Sequence, residues 1–250
     1  MRRQIRMTAF HVRQFVSVPY FIQVMVVATL TTTLVQYLAF NAWHGVTPTV
    51  VWVRGGVIGL WSTATCAAGI IGFERYKGTL VHLVLAPVGA LRSLAAVVSA
   101  AASFGVLALP LSWATWSLLS WSVHAPSWRR LAGVAAGTLM LWLGAVALSL
   151  AVAALFVLTP NAISYEGLLL VPVFLLSGLT FLGSGAPGWL QPLSRLLPVG
   201  LPVQVLLGGP ISVGALAGWT CSTLAWAALA GLLGRAALVC ATRTGTLEVV

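Results

Sequence analysis

Long apolar runs separated by brief polar punctuation dominate the chain. They extend from about Tyr20 to Ala42, Val50 to Phe73, Arg92 to Ser120, Leu131 to Leu158 and Ile211 to Ala241. Each exceeds the roughly 20 residues that a helix needs to cross a bilayer's hydrocarbon core. A shorter run, Gly167 to Leu182, brings the predicted number of spans to six. Pro19 suits the first turn of span one, where a missing N–H costs nothing. Ahead of it, residues 1–18 place Ile5, Val12 and Val16 on one stripe of a helical wheel, beside a face bearing Arg2, Arg6 and Arg13. Phe10 falls on the wrong side, so the amphipathicity is moderate. His11, Arg13 and Gln14 interrupt any signal-peptide core, and the segment is predicted to lie at the cytoplasmic interface as a helix.

The stretch 183–210 breaks this rhythm. Pro187, Pro192, Pro198, Pro202 and Pro210 punctuate apolar residues, with Trp189 among them. It is too broken for a spanning helix and too apolar for a free loop. Irregular backbone at membrane depth must be buried in protein, so short re-entrant helices dipping in from the outer face are predicted. The fold class expected is therefore all-α and integral to the membrane. Residues 19–250 form one six-span unit behind the interfacial helix.

Composition agrees with that pattern. The chain is 60% hydrophobic and 6% charged, against about a quarter charged in soluble domains. Its net charge of +10 does not point to nucleic acid, because the basic residues cluster at the ends of apolar runs and no basic-aromatic module appears. With the N-terminus inside, nine basic residues (Arg2, Arg3, Arg6, Arg13, Arg75, Lys77, Arg92, Arg235 and Arg243) fall on the cytoplasmic side. Four (Arg54, Arg129, Arg130 and Arg195) fall outside, which puts both termini in the cytoplasm. The inside loop Thr159 to Glu166 carries no basic residue. Cys66, Cys221 and Cys240 sit in apolar runs without metal-ligand spacing and read as small buried side chains. Three acids and four scattered histidines form no dyad, nucleophile elbow or metal cluster, so a membrane-embedded enzyme is disfavoured. An ATP-independent channel or carrier should hold ionisable groups within its spans, whereas here they lie at the ends.

One connection differs from the rest. Gly72 to Pro87 carries three charges within four residues, Glu74, Arg75 and Lys77. Gly78 and Thr79 read as a turn and N-cap opening a short helix with Leu80, Leu83 and Val84 on one side. From the residues alone, an ordinary interfacial loop and a docking handle for a soluble partner explain it equally well. His82 reads as part of the solvated face of that helix.

This segment resembles the signature of ABC-2 type transporter permeases, roughly E-R-E-R-G-T-L-E-Q-L-L-V-S-P. Glu74, Arg75, Lys77, Gly78, Thr79, Leu80, Leu83 and Pro87 match it without gaps. A second stretch, Leu176-Ser-Gly178, Pro187-Gly-Trp-Leu-Gln-Pro192 and Leu197-Pro198, is similar to the family's S-G-x-x-F, P-x-W-L-Q and N-P-L-T-Y run. The resemblance implies a six-span exporter subunit of a bacterial cytoplasmic membrane, with a coupling helix at 74–87 after span two. It implies two copies of a separate ABC ATPase, which would bind ATP and magnesium, and a second permease, identical or paralogous. Tyr76 and Val81 stand where the signature has acids, and Gln204 and Leu207 where the second motif continues with an acid and an arginine. These departures suit one half of an unequal pair, and drift within the family explains them equally well. The chain holds no G-x-x-x-x-G-K-[ST] loop and so no phosphate cradle or cofactor site of its own.

Other polar and small residues have two readings. Gln23, Gln36 and Thr32 either line a substrate path or bond across helices, the latter being commoner. Gly55-x-x-x-Gly59, Gly133-x-x-x-Gly137 and Gly214-x-x-x-Gly218 permit close helix approach. Trp43, Trp52, Trp121, Trp128 and Trp189 read as an outer aromatic belt. Glu166 favours a helix N-terminus. Apolar walls imply an amphipathic or hydrophobic cargo, such as a drug-like natural product, lipid or peptide. A cysteine at Ser127 is expected to react with an impermeant reagent in intact cells, and one at Thr244 only after permeabilisation. Labelling of Thr244 in intact cells would reverse the orientation.

Overall fold

A computed structural model of the chain describes residues 2–43, 47–121, 128–159, 165, 168, 170–176 and 188–244. The regular elements among these residues are all helical. In order they are α1 (Arg2–Val16), α2 (Pro19–Trp43), α3 (Pro48–Tyr76), α4 (Leu80–Val84), α5 (Ala90–Ser103), a 3-10 turn (Phe104–Leu107) and α6 (Ala108–Ser120). Then follow α7 (Trp128–Phe156), α8 (Leu170–Leu176), α9 (Leu190–Leu196), α10 (Gly200–Leu206) and α11 (Val213–Thr244). Five stretches are long and apolar enough to cross a membrane: Pro19–Ala42, Pro48–Tyr76, Ala90–Ser120, Trp128–Phe156 and Val213–Arg243. Of the expected sixth, Gly167 to Leu182, only Leu168 and the seven-residue α8 are described, and the rest lies outside the described residues.

Helix α3 is the centre. Its apolar window is 89% buried, against 22% for the Pro19–Ala42 window and 28% for the Val213–Arg243 window, so α2 and α11 are peripheral. Glycine makes the central position possible. A Cβ at Gly55 would overlap Thr33 Oγ1 on α2 and stand 2.5 Å from Ser112 Oγ on α6. One at Gly59 would overlap Thr29 Oγ1 and approach Ala108 Cβ to 2.9 Å. The Gly55-x-x-x-Gly59 spacing is thus an interface within the chain, facing Thr29 and Thr33 one turn apart on α2. Gly133, Gly214 and Gly218 have open space around them, whereas Gly137 meets Leu206.

Between lipid-embedded helices, packing and interhelical hydrogen bonds replace the hydrophobic drive. Thr33 Oγ1 and Ser112 Oγ lie 2.7 Å apart, Ser112 donates to the Trp52 carbonyl at 2.7 Å, and Ser149 donates to the Ala64 carbonyl at 2.7 Å. These bonds tie α2, α6 and α7 to α3. Two apolar clusters fill the remaining space. Phe21, Ile71, Leu80, Val97 and Phe156 belong to one, and Met25, Trp61, Leu141, Leu148 and Leu206 to the other. The 3-10 turn between α5 and α6 precedes Pro110, which cannot donate to the carbonyl four residues back.

Three expectations are corrected. Cys221 and Cys240, on the peripheral helix α11, are exposed, and only Cys66 is the buried side chain expected. Trp52 is buried, 8% exposed, because the α3 face carrying it is covered on all sides, so it leaves the aromatic belt. Trp121, Trp128 and Trp189 are exposed. On α1, Ile5 and Val16 are exposed, and the side turned inward carries Val12 and Phe15. The helix is oriented by Gln4 Nε2 donating to the Arg92 carbonyl at 3.0 Å and by Phe15 packing on Phe21 at 5.2 Å between ring centroids.

Replacing Gly59 with Leu should force α2 and α6 off α3, at a cost of about 1–3 kcal/mol for overpacking. Gly214→Leu, in open space, should cost far less. Thermal unfolding of the two variants in detergent tests the contrast, and equal midpoints would refute it.

Candidate functional site

The segment 74–87 begins where α3 stops. The N–H of Gly78 donates to the Arg75 carbonyl at 2.9 Å and that of Thr79 to the Glu74 carbonyl at 2.9 Å, the paired bonds of a Schellman ending. Such an ending needs a left-handed residue, and Gly78 has φ +72°, which glycine adopts without a Cβ penalty. Two residues later α4 begins, so the reversal is tight. A second left-handed glycine, Gly89 at φ +90°, precedes α5. Sequence reasoning missed it, although the Pro87-Val-Gly89 triplet is a turn signal.

Thr79 occupies the N-cap position of α4, but its hydroxyl does not cap that helix. The side chain turns back instead, with Oγ1 3.1 Å from the Glu74 carbonyl oxygen and donating to Glu74 Oε2. The Schellman reversal explains this correction, because it folds Thr79 over the last turn of α3. Leu80 is fully buried, and Leu83 and Val84 pack against the same apolar cluster. Helix α4 is therefore seated on α5 and the end of α3. Its outward surface, with the adjoining turns, shows Tyr76, Lys77, His82, Leu85 and Pro87. Lys77 Nζ stands 4.5 Å from the centroid of the Phe73 ring, a cation–π contact.

Arg75 points the other way. It is 4% exposed, and its guanidinium donates to the Thr159 carbonyl at 2.8 Å and to the Val157 carbonyl. Both acceptors lie just beyond α7, where carbonyls lack intrahelical partners and the helix dipole is negative. Arg75 thus clamps the end of α3 to the end of α7 and is not part of the outward surface. The sequence placed it with its charged neighbours; its inward direction depends on where α7 ends, more than 80 residues away.

The residues considered for a substrate path are not gathered on one wall. Gln23 is exposed, and nine residues separate it from half-buried Thr32, a rotation of about 180° around α2. Gln36, on the Thr32 side, accepts from Arg54 Nη1 at 2.9 Å. Sequence reasoning had not paired those two. In the proline-rich stretch, Pro187 and the side chain of Pro192 lie outside the described residues. Trp189 is exposed, and the Pro198 carbonyl accepts from Trp219 Nε1 at 3.0 Å and packs closely over Gly144. Among the described residues no cluster of His, Cys, Asp or Glu could hold a metal ion.

Chemically, this arrangement offers a mechanical element. An exposed surface of mixed charge and apolar character is joined without slack to α3, α5 and, through Arg75, α7. No family model, curated protein or solved structure matches the chain. Replacing Arg75 with Ala removes hydrogen bonds from a charged donor and should cost about 2–3 kcal/mol. Arg75→Lys, lacking the planar fork, should recover only part of it. Thermal unfolding in detergent measures both, and an unchanged midpoint in Arg75→Ala would mean the clamp contributes nothing.

Proposed function

We propose that this chain is the membrane-spanning permease subunit of an ATP-driven exporter, and that segment 74–87 is its docking point for a separate ATPase. The observation that carries the reading is the seating of α4. An exposed face with Tyr76, Lys77, His82 and Leu85 is backed by fully buried Leu80 and held between two left-handed glycines. Displacement of that face by a partner is transmitted to α3 and α5 with little lost in bending, and Arg75 extends the linkage to α7. Resemblance to the ABC-2 signature at Glu74, Arg75, Lys77, Gly78, Thr79, Leu80, Leu83 and Pro87 supports the same reading.

In this scheme both termini are cytoplasmic, α8 belongs to a sixth span, and α9 and α10 dip in from the outer face to roof the path. Two ATPase copies bind ATP and magnesium, and a second permease, identical or paralogous, completes the assembly. The cargo is amphipathic or hydrophobic. This chain contributes differential packing in two states, since a partner shifts a conformational equilibrium only through contacts that differ between them.

Glu74→Ala removes the carboxylate that Thr79 holds, and Gly78→Val forces a β-branched residue into left-handed backbone at about 1–2 kcal/mol. Both variants should insert at wild-type levels, because neither residue faces lipid within a span. Export and cargo-stimulated ATPase activity, measured with the ATPase co-expressed, should fall together. Wild-type export by both variants in an assembled complex would refute the docking assignment.

A further inference from the structure

Three spans part on one side of the bundle. Between α5, α7 and α11 lies a cavity of about 210 Å³, walled by aliphatic side chains such as Leu94, Val98 and Leu150 and, on α11, by Ala230 and Gly231. Among the described residues that line it, none has a polar side chain. Apolar cavities of about 150 Å³ stay dry and accept hydrocarbon guests, so this one is suited to hydrocarbon and not to water.

Its mouth is charged. Leu91 and Leu238 line both the cavity and an adjoining surface hollow, whose rim carries Arg92 and Arg235. A Cβ on Gly234 would lie 2.7 Å from Leu91 Cδ2, so the backbones bearing the two arginines stand at one level. Both side chains are exposed. Arg243 lines a further hollow with Arg235 along α11. Glu74, the one acid among the described residues, is engaged by Thr79, and no carboxylate among those residues balances Arg92 or Arg235.

A hydrocarbon slot between spans, opening beside two guanidinium groups, suits an anionic amphiphile, and in a bilayer leaflet that is an acyl chain attached to a phosphate. We propose that this cleft holds one acyl chain of an anionic phospholipid from the adjoining leaflet, with its phosphate on Arg92 and Arg235. Basic pockets between spanning helices bind acidic headgroups in this way. The proposal is independent of the transport reading, since it needs only the bundle and the leaflet.

The test uses the full chain in neutral detergent, delipidated and titrated with phosphatidylglycerol or with phosphatidylcholine of identical chains. Native mass spectrometry counts the bound lipid. Wild type should retain phosphatidylglycerol about tenfold better, given the attraction of two basic side chains for an anionic headgroup. Arg92→Gln combined with Arg235→Gln should reduce phosphatidylglycerol to the phosphatidylcholine level. Ala230→Phe, filling the slot, should weaken both lipids by about tenfold or more, through lost chain burial. Equal retention of the two lipids by wild type, or an undiminished preference in the double Gln variant, would overturn the proposal. So would unchanged binding in Ala230→Phe, or displacement of phosphatidylglycerol by inorganic phosphate alone, which would mark a simple anion site.

Discussion

Helix α3 has neighbours around nearly its whole circumference, and side chains of ordinary size would not permit that. The bundle depends on the places where α3 has no side chain. Gly55 and Gly59 admit the hydroxyls of Thr33 and Thr29, and Gly56 admits Leu109. Backbones that approach this closely also bring polar atoms within reach. The Thr33–Ser112 pair and the Ser112 bond to the Trp52 carbonyl follow from the close approach as much as they reinforce it. In hydrocarbon, burial of apolar area gives helices no reason to prefer each other over lipid. Fit and hydroxyl bonding must supply the specificity, and both converge on this one helix.

The same centrality gives the end of α3 its importance. A helix held by α2, α5, α6 and α7 cannot shift alone, so whatever moves its terminus moves the bundle. Arg75 sharpens this by tying the α3 terminus to carbonyls past α7. Glu74 and Thr79 close the reversal, and Gly78 supplies the backbone angle that makes it tight. The charged residues of the segment therefore divide their labour. Glu74 and Arg75 hold the structure together, and Lys77 is displayed.

The positions of five apolar spans were legible from sequence because the bilayer enforces length and apolarity on each one without regard to its neighbours. Gly78 was legible for a similar reason: its role is local, set by the need to reverse direction between α3 and α4. Burial direction was not. Trp52 read as a belt residue because tryptophan near a span end usually faces the interface, and only the crowding around α3 turns it inward. Arg75 looked like its charged neighbours until the end of α7 arrived beside it. Thr79 is the instructive miss. Its position in the chain was right for a cap, but the reversal before it placed a carboxylate closer than the N–H groups it was expected to serve.

The left-handed glycines at 78 and 89 bracket a segment whose inner and outer faces answer to different demands. Leu80, Leu83 and the two glycine backbones seat the segment, while His82, Leu85 and Pro87 contribute little to that seating. Outward residues can be exchanged without disturbing the bundle, and the bundle can be repacked without altering what is shown to a partner. On the proposed docking, partner choice and foldability are separable traits in this chain. A recognition surface of that kind can be re-addressed by substitutions at a few exposed positions, with the membrane-embedded part left as it is.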